Sequence, residues 1–520
     1  MSPNTDKRPS DYKPLLFTTT VRNPERIKGF LNILKRYNGK ILTNELAEQV
    51  EGDLIKFGLY RPLKINLQVK NKLNNGEELS DEEVSEIMRC NPQSHKEAGF
   101  LRGWPSRFDT HFKIAKELGF VFYQLGKPIE FSDIGLKFAD NEHPEFEQQA
   151  FLNAFVKYQS NNPFRRVLNE NVPLILLISV IKKLNEDEKF NNAGISRLEI
   201  PIILCWRDNN SEALYEKIKS LREKYGYEPS WETILDICDK LTEGRHNSQK
   251  DVTIMQELPD EFIRKMRLTG LITLRGFGKF IDINKKELEK VDYVLSNYSS
   301  YKKYDTEKEY FDYISQVDDR LLSLGLARKI DFEEENKLLA KWTSHYTWST
   351  IKDELINLTK NNPSSTDEIL KFIPSPLRLE FLTSLAIVSK YPTIKVVPNY
   401  ISDDEGLPST HAPGNNADIE CYENAGCSLL EVTLLNGTVQ VSREMPPITR
   451  HLEDKKIKNL NAVSFFIAPK IHEDTFRWIK FIDFKEKLTI FAYSIEEFVL
   501  KLEKNEEYFY QTTYQQYEQI

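Results

Sequence analysis

Thr410-His411-Ala412-Pro413-Gly414-Asn415-Asn416-Ala417-Asp418, followed after a turn by Leu429-Leu430-Glu431-Val432-Thr433, decides how the C-terminal part of this chain reads. Asp418 opens a β-rich run, and Glu431 interrupts an apolar one further on. Between them Glu423-Asn424-Ala425-Gly426 has turn composition, so the two runs can pair as a hairpin with both acids toward one site. Two carboxylates at short range repel, and each stays ionised only beside a cation. An acid inside an apolar strand is costly without a partner. Hard oxygen donors favour Mg²⁺, with Mn²⁺ as a substitute. The plain alternative is a solvated hairpin with scattered acids.

Outward from this window, strand and helix patterns alternate. A helix over residues 377–391 follows Pro374-Ser375-Pro376. Short β-rich runs cover 394–397, 417–422, 428–435, 438–441, 463–468 and 488–493, with helical patterns at 449–460 and 495–502. That order predicts an α/β domain with a mixed sheet. Asn361-Asn362-Pro363-Ser364-Ser365 punctuates its start. Residues 301–360, rich in Lys, Glu, Tyr and Leu, suit a helical connector.

The N-terminal part has a different texture. Asn23 and Pro24 suit a helix cap and first position, and Ile27, Phe30, Leu31 and Leu34 follow at helical spacing. Two later stretches share one pattern. A helix through Lys113 and Lys116 leads to Gly119, a strand, a turn at Gly126-Lys127-Pro128 and a second strand. A helix through Arg264, Lys265 and Arg267 leads to Gly270, a strand ending near Arg275, a turn at Gly276-Phe277-Gly278-Lys279 and a second strand. Helix plus short basic hairpin is the pattern of a winged helix, in which the helix enters a groove and the wing meets phosphates. A small packing unit is the bland alternative. Arg22, Arg26, Arg102, Arg107, Lys127, Arg264, Arg267, Arg275 and Lys279 are the candidate DNA contacts. Residues 165–240 read as helices, with Trp206 and Trp231 inside, and residues 172–181 as a buried segment.

Length and charge bound the class. The 520 residues correspond to about three domains. A charged fraction of 29% against 40% hydrophobic excludes a largely disordered chain. No apolar run approaches the ~18 residues that span a bilayer, and residues 1–13 lack the apolar stretch of a secretory signal. Five cysteines without ligand spacing support neither a disulfide framework nor a zinc ribbon. An intracellular protein with no membrane partner is the expectation. The net charge of −8 argues against a simple cationic coat for nucleic acid. It divides as +1 over residues 1–300 and −9 over the rest, as two unlike modules would.

Asp418 and Glu431 resemble the paired acids of the restriction-nuclease-like, PD-(D/E)XK, fold, with Ala417 where proline is usual and Thr433 where lysine is usual. The ordered set from His411 through Asp418 and Leu430-Glu431-Val432-Thr433 to Glu444 and Pro447-Ile448-Thr449-Arg450-His451 resembles the cleavage domain of the AlwI-type, type IIS restriction endonucleases. Phe465-Phe466-Ile467-Ala468-Pro469-Lys470-Ile471 and Val21-Arg22-Asn23-Pro24-Glu25-Arg26-Ile27 are similar to the same family. The resemblance implies a multidomain chain. A mainly α, winged-helix-like recognition region would fill 1–150 and 151–300, with a helical linker at 301–362 and an α/β nuclease domain at 363–520. It implies binding of a short asymmetric duplex DNA site and Mg²⁺-dependent cleavage a few bases to one side. Glu380, Asp418, Glu431, Glu444 and His451 would form the active site, with Thr433 within the family pattern.

On that footing Asp418 and Glu431 hold metal directly. Glu444 is a further ligand or holds the attacking water, and His451 positions a phosphate or protonates the leaving oxygen. Glu380 completes the acidic cluster, while His411 and Arg450 shape it. The family also implies a companion methyltransferase, and a second nuclease subunit or transient dimer for the other strand. A strand-specific nickase, or the large subunit of a heterodimeric enzyme, would carry the same site. A winged-helix regulator with a degenerate nuclease domain is the non-enzyme alternative.

Overall fold

The computed structural model describes residues 25–97, 99–140, 146–190, 194–244, 250–325, 332–360, 363–412, 414, 416–423 and 426–504. Arg22, Asn23 and Pro24, and the turn pair Asn424-Ala425, lie outside the described residues. The chain divides into two units, one of residues 1–51, 92–141 and 146–328, the other of 52–91, 142–145 and 329–520. Among the described residues no helix is long and apolar enough to cross a membrane.

The first unit is mainly helical, and both helix-plus-hairpin stretches are present in it. Helix Trp104–Glu117 ends before Gly119, whose φ of +77° suits glycine, and strands Val121–Phe122 and Glu130–Phe131 pair antiparallel. Helix Leu258–Arg267 leads through Gly270 to the antiparallel strands Ile272–Arg275 and Phe280–Ile283, and Ile195–Ser196 adds a third strand beside the latter. The apolar run at 172–181 is buried, as its composition requires, on helix Pro173–Glu186. Trp231 corrects the expectation of a packed ring. It is the first residue of helix Trp231–Thr242, just after the Ser230 cap, and stays 37% exposed. Trp206 is only partly buried, its Nε1–H donating to Asp208 at 3.1 Å.

The second unit carries the mixed sheet. In chain order its C-terminal part runs α1 (Phe332–His345), α2 (Trp348–Asn357), α3 (Ser375–Lys390), β1 (Lys395–Pro398), β2 (Ile401–Ser402), β3 (Pro408–Thr410), β4 (Ile419–Glu423), β5 (Gly426–Val432), α4 (Val439–Arg443), α5 (Met445–Lys458), β6 (Ala462–Ala468), α6 (Glu473–Glu486), β7 (Ile490–Ser494) and α7 (Ile495–Lys504). Sheet order is β7-β6-β5-β4-β1, parallel from β7 to β5 and antiparallel from β5 to β1. All seven side chains of β6 are buried, as a parallel strand covered on both faces requires. Cys427 and Leu429 of β5 pack with Met445, Ile448 and Leu452 of α5 and with Ile479 and Ile482 of α6. By the two-residue period of a strand, Glu431 projects from that same face.

One element differs from the sequence pattern. Residues 438–441 read as a β-run but form the start of α4. Gly437, with φ +77°, breaks the extended course, and the buried amide of Gln440 fixes the new direction. Residues 52–91, with helices Leu67–Asn74 and Asp81–Cys90, belong to this unit too. Their Asn75-Gly76 loop lies so close to Asn436-Gly437 that a Cβ on Gly437 would stand 2.1 Å from the Asn75 carbonyl oxygen.

Candidate active site

The β4–β5 register sets Leu430 opposite Ile419, which brings Glu431 opposite Asp418. Asp418 lies just before β4, and its Oδ2 accepts the Val432 N–H at 2.8 Å, so the hairpin itself holds the carboxylate. Asn399 fixes the backbone on the other side, its Nδ2 donating to the Ala417 carbonyl at 2.8 Å and its N–H to that of Asp418 at 2.9 Å. Asn399, in a Pro-Asn-Tyr stretch that reads as an ordinary turn, carries no sequence signal for this role.

Glu444 sits where α4 ends and α5 begins. His451 follows two helical turns later, on the same face of α5. Its Nδ1 lies 2.8 Å from Glu431 Oε1. Thr433 donates through Oγ1 to Glu444 Oε1 at 3.2 Å. Glu380 enters from α3, which is buried on nearly every side; its Oε1 lies 2.5 Å from His411 Nδ1. Two carboxylate–imidazole pairs thus flank the acidic hairpin.

The electrostatics follow from crowding. Loss of water, then the charges of Glu380 and Glu431, push the Asp418 carboxyl well above the usual carboxylate range. Burial, then Glu444, does the same to Glu431. Burial also raises Glu444, against the pull of Thr433 and Arg443. Burial and then Arg450 lower His451. The same burial thus disfavours the charged form of both partners in the Glu431–His451 hydrogen bond. With Nδ1–H on Glu431, Nε2 carries the lone pair.

Such a site is short of positive charge. Glu380 Oε2 is buried with no hydrogen-bond partner among the described residues. An all-oxygen acidic set with an orphaned carboxylate oxygen fits a hard divalent cation. Among the described residues, no three His, Cys, Asp or Glu side chains enclose a metal ion by themselves. Mg²⁺ needs no such cage, because it is usually bound through one or two carboxylates, water and substrate phosphates.

The basic candidates of the first unit divide. Arg26, Arg102, Lys127 and Lys279 are exposed. Arg107 bonds His95 at 2.7 Å, Arg264 bonds Glu261 at 3.2 Å, Arg275 bonds Asp282 at 2.6 Å, and Arg267 is buried.

Comparison with known proteins bears on the whole chain. No curated protein sequence matches it. Among solved structures, the small subunit (R.BspD6I2) of the heterodimeric restriction endonuclease R.BspD6I aligns at 23% identity over 32% of this chain and 85% of its own, with a TM-score of 0.27. The restriction endonuclease FokI aligns at 11% identity over 95% of this chain and 96% of its own, TM-score 0.24. FokI bound to DNA aligns at 12% over 90% and 95%, TM-score 0.23. The profile of the AlwI restriction endonuclease family matches residues 116–331 and 327–500, well over half of the 520 residues. The chain therefore belongs to the AlwI restriction endonuclease family and is a DNA nuclease of that kind.

Proposed function

We propose that the chain is a type IIS enzyme that binds a short asymmetric duplex site and hydrolyses phosphodiester bonds a few bases to one side, with Mg²⁺ or Mn²⁺ as cofactor. The observation that carries this reading is the Asp418–Glu431 hairpin with Glu444 and His451 beside it. The division into recognition subdomains 1–150 and 151–300, linker 301–362 and nuclease domain 363–520 is part of the same proposal. So are Arg26, Arg102, Lys127 and Lys279 as DNA contacts, and a companion methyltransferase.

Asp418 and Glu431 would hold the ion, with Glu444 and Glu380 adding negative charge around it. Bound there, a divalent cation supplies Lewis-acid polarisation of the scissile phosphoryl group. Glu444, oriented by Thr433, is placed to hold the attacking water. His451 Nε2, with Nδ1 fixed on Glu431, is placed to exchange a proton with water or the leaving oxygen. His411 keeps Glu380 directed into the cluster.

The decisive experiment pairs plasmid cleavage with a gel shift. Asp418→Ala and Glu431→Ala should abolish Mg²⁺-dependent cutting while specific DNA binding persists; full cleavage by either variant overturns the assignment. One acidic cluster cuts one strand at a time, which favours a second catalytic domain for the other strand, from a transient dimer or a second subunit. Supercoiled plasmid going only to open circle would mark a nickase instead, and no metal-dependent cutting of any site would mark a DNA-binding regulator.

A further inference from the structure

Among the described residues, three other than glycine have a positive φ: Glu243, Phe277 and Lys487. Two have a plain structural reason. Glu243 follows helix Trp231–Thr242 and Lys487 follows α6, and each is the left-handed residue that closes its helix. Phe277 closes no helix. It lies between strands Ile272–Arg275 and Phe280–Ile283, with φ +59° at Gly276, +53° at Phe277 and +86° at Gly278. Gly, Asn or Asp suits such a turn, and a bulky ring there costs free energy. Packing offsets only part of that cost, because Phe277 is 46% exposed. Below the turn both strands are tied. Arg275 donates through Nε to Asp282 Oδ2 at 2.6 Å and through Nη2 to the Ile283 carbonyl at 3.1 Å. The buried Asp282 also accepts from Asn185 Nδ2 at 2.8 Å. Phe280 meets the Tyr227 ring edge-on at 5.3 Å, and the Arg197 N–H donates to the Lys279 carbonyl at 3.1 Å. A strained phenylalanine therefore stands at the tip of a firmly held hairpin.

Charge around the tip selects what it meets. Residues 262–281 hold Arg264, Lys265, Arg267, Arg275 and Lys279 and no acid. Arg264 and Lys265 bond Glu261, Arg275 bonds Asp282, and Arg267 is buried. Lys279 is exposed, two residues from Phe277. A ring beside a lysine suits a surface that is apolar at its centre and anionic at its rim. The major groove of duplex DNA is such a surface, since thymine presents a methyl group there and phosphates border it. The groove also admits a two-stranded ribbon. DNA is the substrate of the family to which the chain belongs.

We propose that Phe277 is a specificity-determining residue. The hairpin tip enters the major groove, the Phe277 ring packs on a thymine methyl of the recognition site, and Lys279 neutralises a flanking phosphate. The methyl already projects into the groove, so every base keeps its place in the stack. This rests on the reading of residues 151–300 as part of the recognition region, and adds the residue and the base feature that it reads.

The test uses the full chain and duplexes carrying its cleavage site, with each thymine of the site replaced in turn by uracil, which lacks only the methyl. Kd is read by gel shift in buffer free of divalent ions. At one position Kd should rise about four-fold, the worth of one methyl taken out of water. The rise should vanish in Phe277→Gly and persist in Phe277→Tyr, which keeps the ring. Phe277→Gly should also weaken binding to the site about ten-fold relative to unrelated DNA. Because glycine relieves the strained φ, its urea midpoint should equal or exceed that of the parent. Lys279→Gln should weaken binding to any sequence and flatten the salt dependence by about one phosphate contact. A site without thymine in either strand, a flat uracil series, or a uracil effect that survives Phe277→Gly overturns the proposal. So does a lower urea midpoint with unchanged Kd, which would make the ring a packing group. If the methyl contact alone were wrong, Lys279→Gln would still weaken binding. If residues 151–300 took no part in recognition, Phe277→Gly and Lys279→Gln would both leave Kd unchanged.

Discussion

Thr433 Oγ1 donates a hydrogen bond to Glu444 Oε1 at 3.2 Å, across the junction between β5 and the helices that follow it. The hydroxyl also accepts the Leu435 N–H at 3.1 Å, so both of its roles are fixed by the fold. A lysine there would neutralise Glu444, whereas a threonine orients it and leaves its charge in place. Thr433→Val, which keeps the shape and removes the hydroxyl, should lower kcat roughly ten- to a hundred-fold, the scale of one hydrogen bond to a charged group. Thr433→Ser should retain most of the rate. Single-turnover cleavage with a gel shift on the same DNA checks this, and a Thr433→Val variant with normal kcat would remove Thr433 from the site.

His451 works through the pair it makes with Glu431. His451→Ala should reduce kcat about 10²- to 10⁴-fold, the usual weight of a positioned acid–base group, with DNA affinity little changed. His451→Asn, which can present an amide near the Nδ1 position, should orient Glu431 without supplying a titrating Nε2. Restored protein stability without restored rate would separate the two roles. Recovery of full rate in His451→Asn would assign the side chain to positioning alone.

Much of this arrangement was legible from local patterns. Asp418 and Glu431 bracket a turn, and strand alternation places them on one face; Glu444 and His451 differ by two helical turns. The parts that were not legible depend on contacts distant in sequence. Glu380 and His411 are joined only when α3 packs beside β3, and nothing in either stretch announces the other. Thr438-Val439-Gln440-Val441 alternates as a strand does, and only a glycine in the left-handed region and the tethering of Gln440 turn it into helix. The grouping of residues 52–91 with the C-terminal unit rests on Gly76 meeting Asn436, a pairing no periodicity encodes. Trp231 misled because its hydrophobicity suggests burial, whereas its place at a helix start sets its exposure.

Gln440 should be among the most sensitive positions for folding. Its amide meets the Leu435 and Lys470 carbonyls, the His472 N–H and the Thr475 hydroxyl, the last at 3.1 Å, and the residue is fully buried. Gln440→Leu keeps the volume but strands all four groups. At ~1–3 kcal/mol for each unsatisfied buried group, with some relieved by local shifts, a loss of about 3 kcal/mol is expected. Urea unfolding should show the lower midpoint with an unchanged slope. A variant as stable as the parent would mean that water replaces the amide at no cost.

The crowded acids also make metal binding depend on pH. In the metal-free chain the carboxyls of Asp418, Glu431 and Glu444 lie above their ordinary range, so the folded state binds protons more tightly than the unfolded one. A raised carboxyl contributes stability that is fully present below its unfolded value of ~4 and is lost as pH rises through its folded value. Metal-free protein should therefore melt at a lower temperature at pH ~8 than at pH ~5.5. A divalent cation competes with those protons and binds the ionised acids, so Mg²⁺ or Ca²⁺ should raise Tm more at the higher pH. At about a hundred times its Kd an ion adds about 2.7 kcal/mol, a shift of roughly 5–10 °C for a unit of this size. Asp418→Asn combined with Glu431→Gln should flatten both effects, because two of the repelling charges are gone. Thermal melts at the two pH values, with and without the ion and in the absence of DNA, measure this directly. An equal metal-induced shift at both, or one retained in the double variant, would place the cation somewhere other than the hairpin.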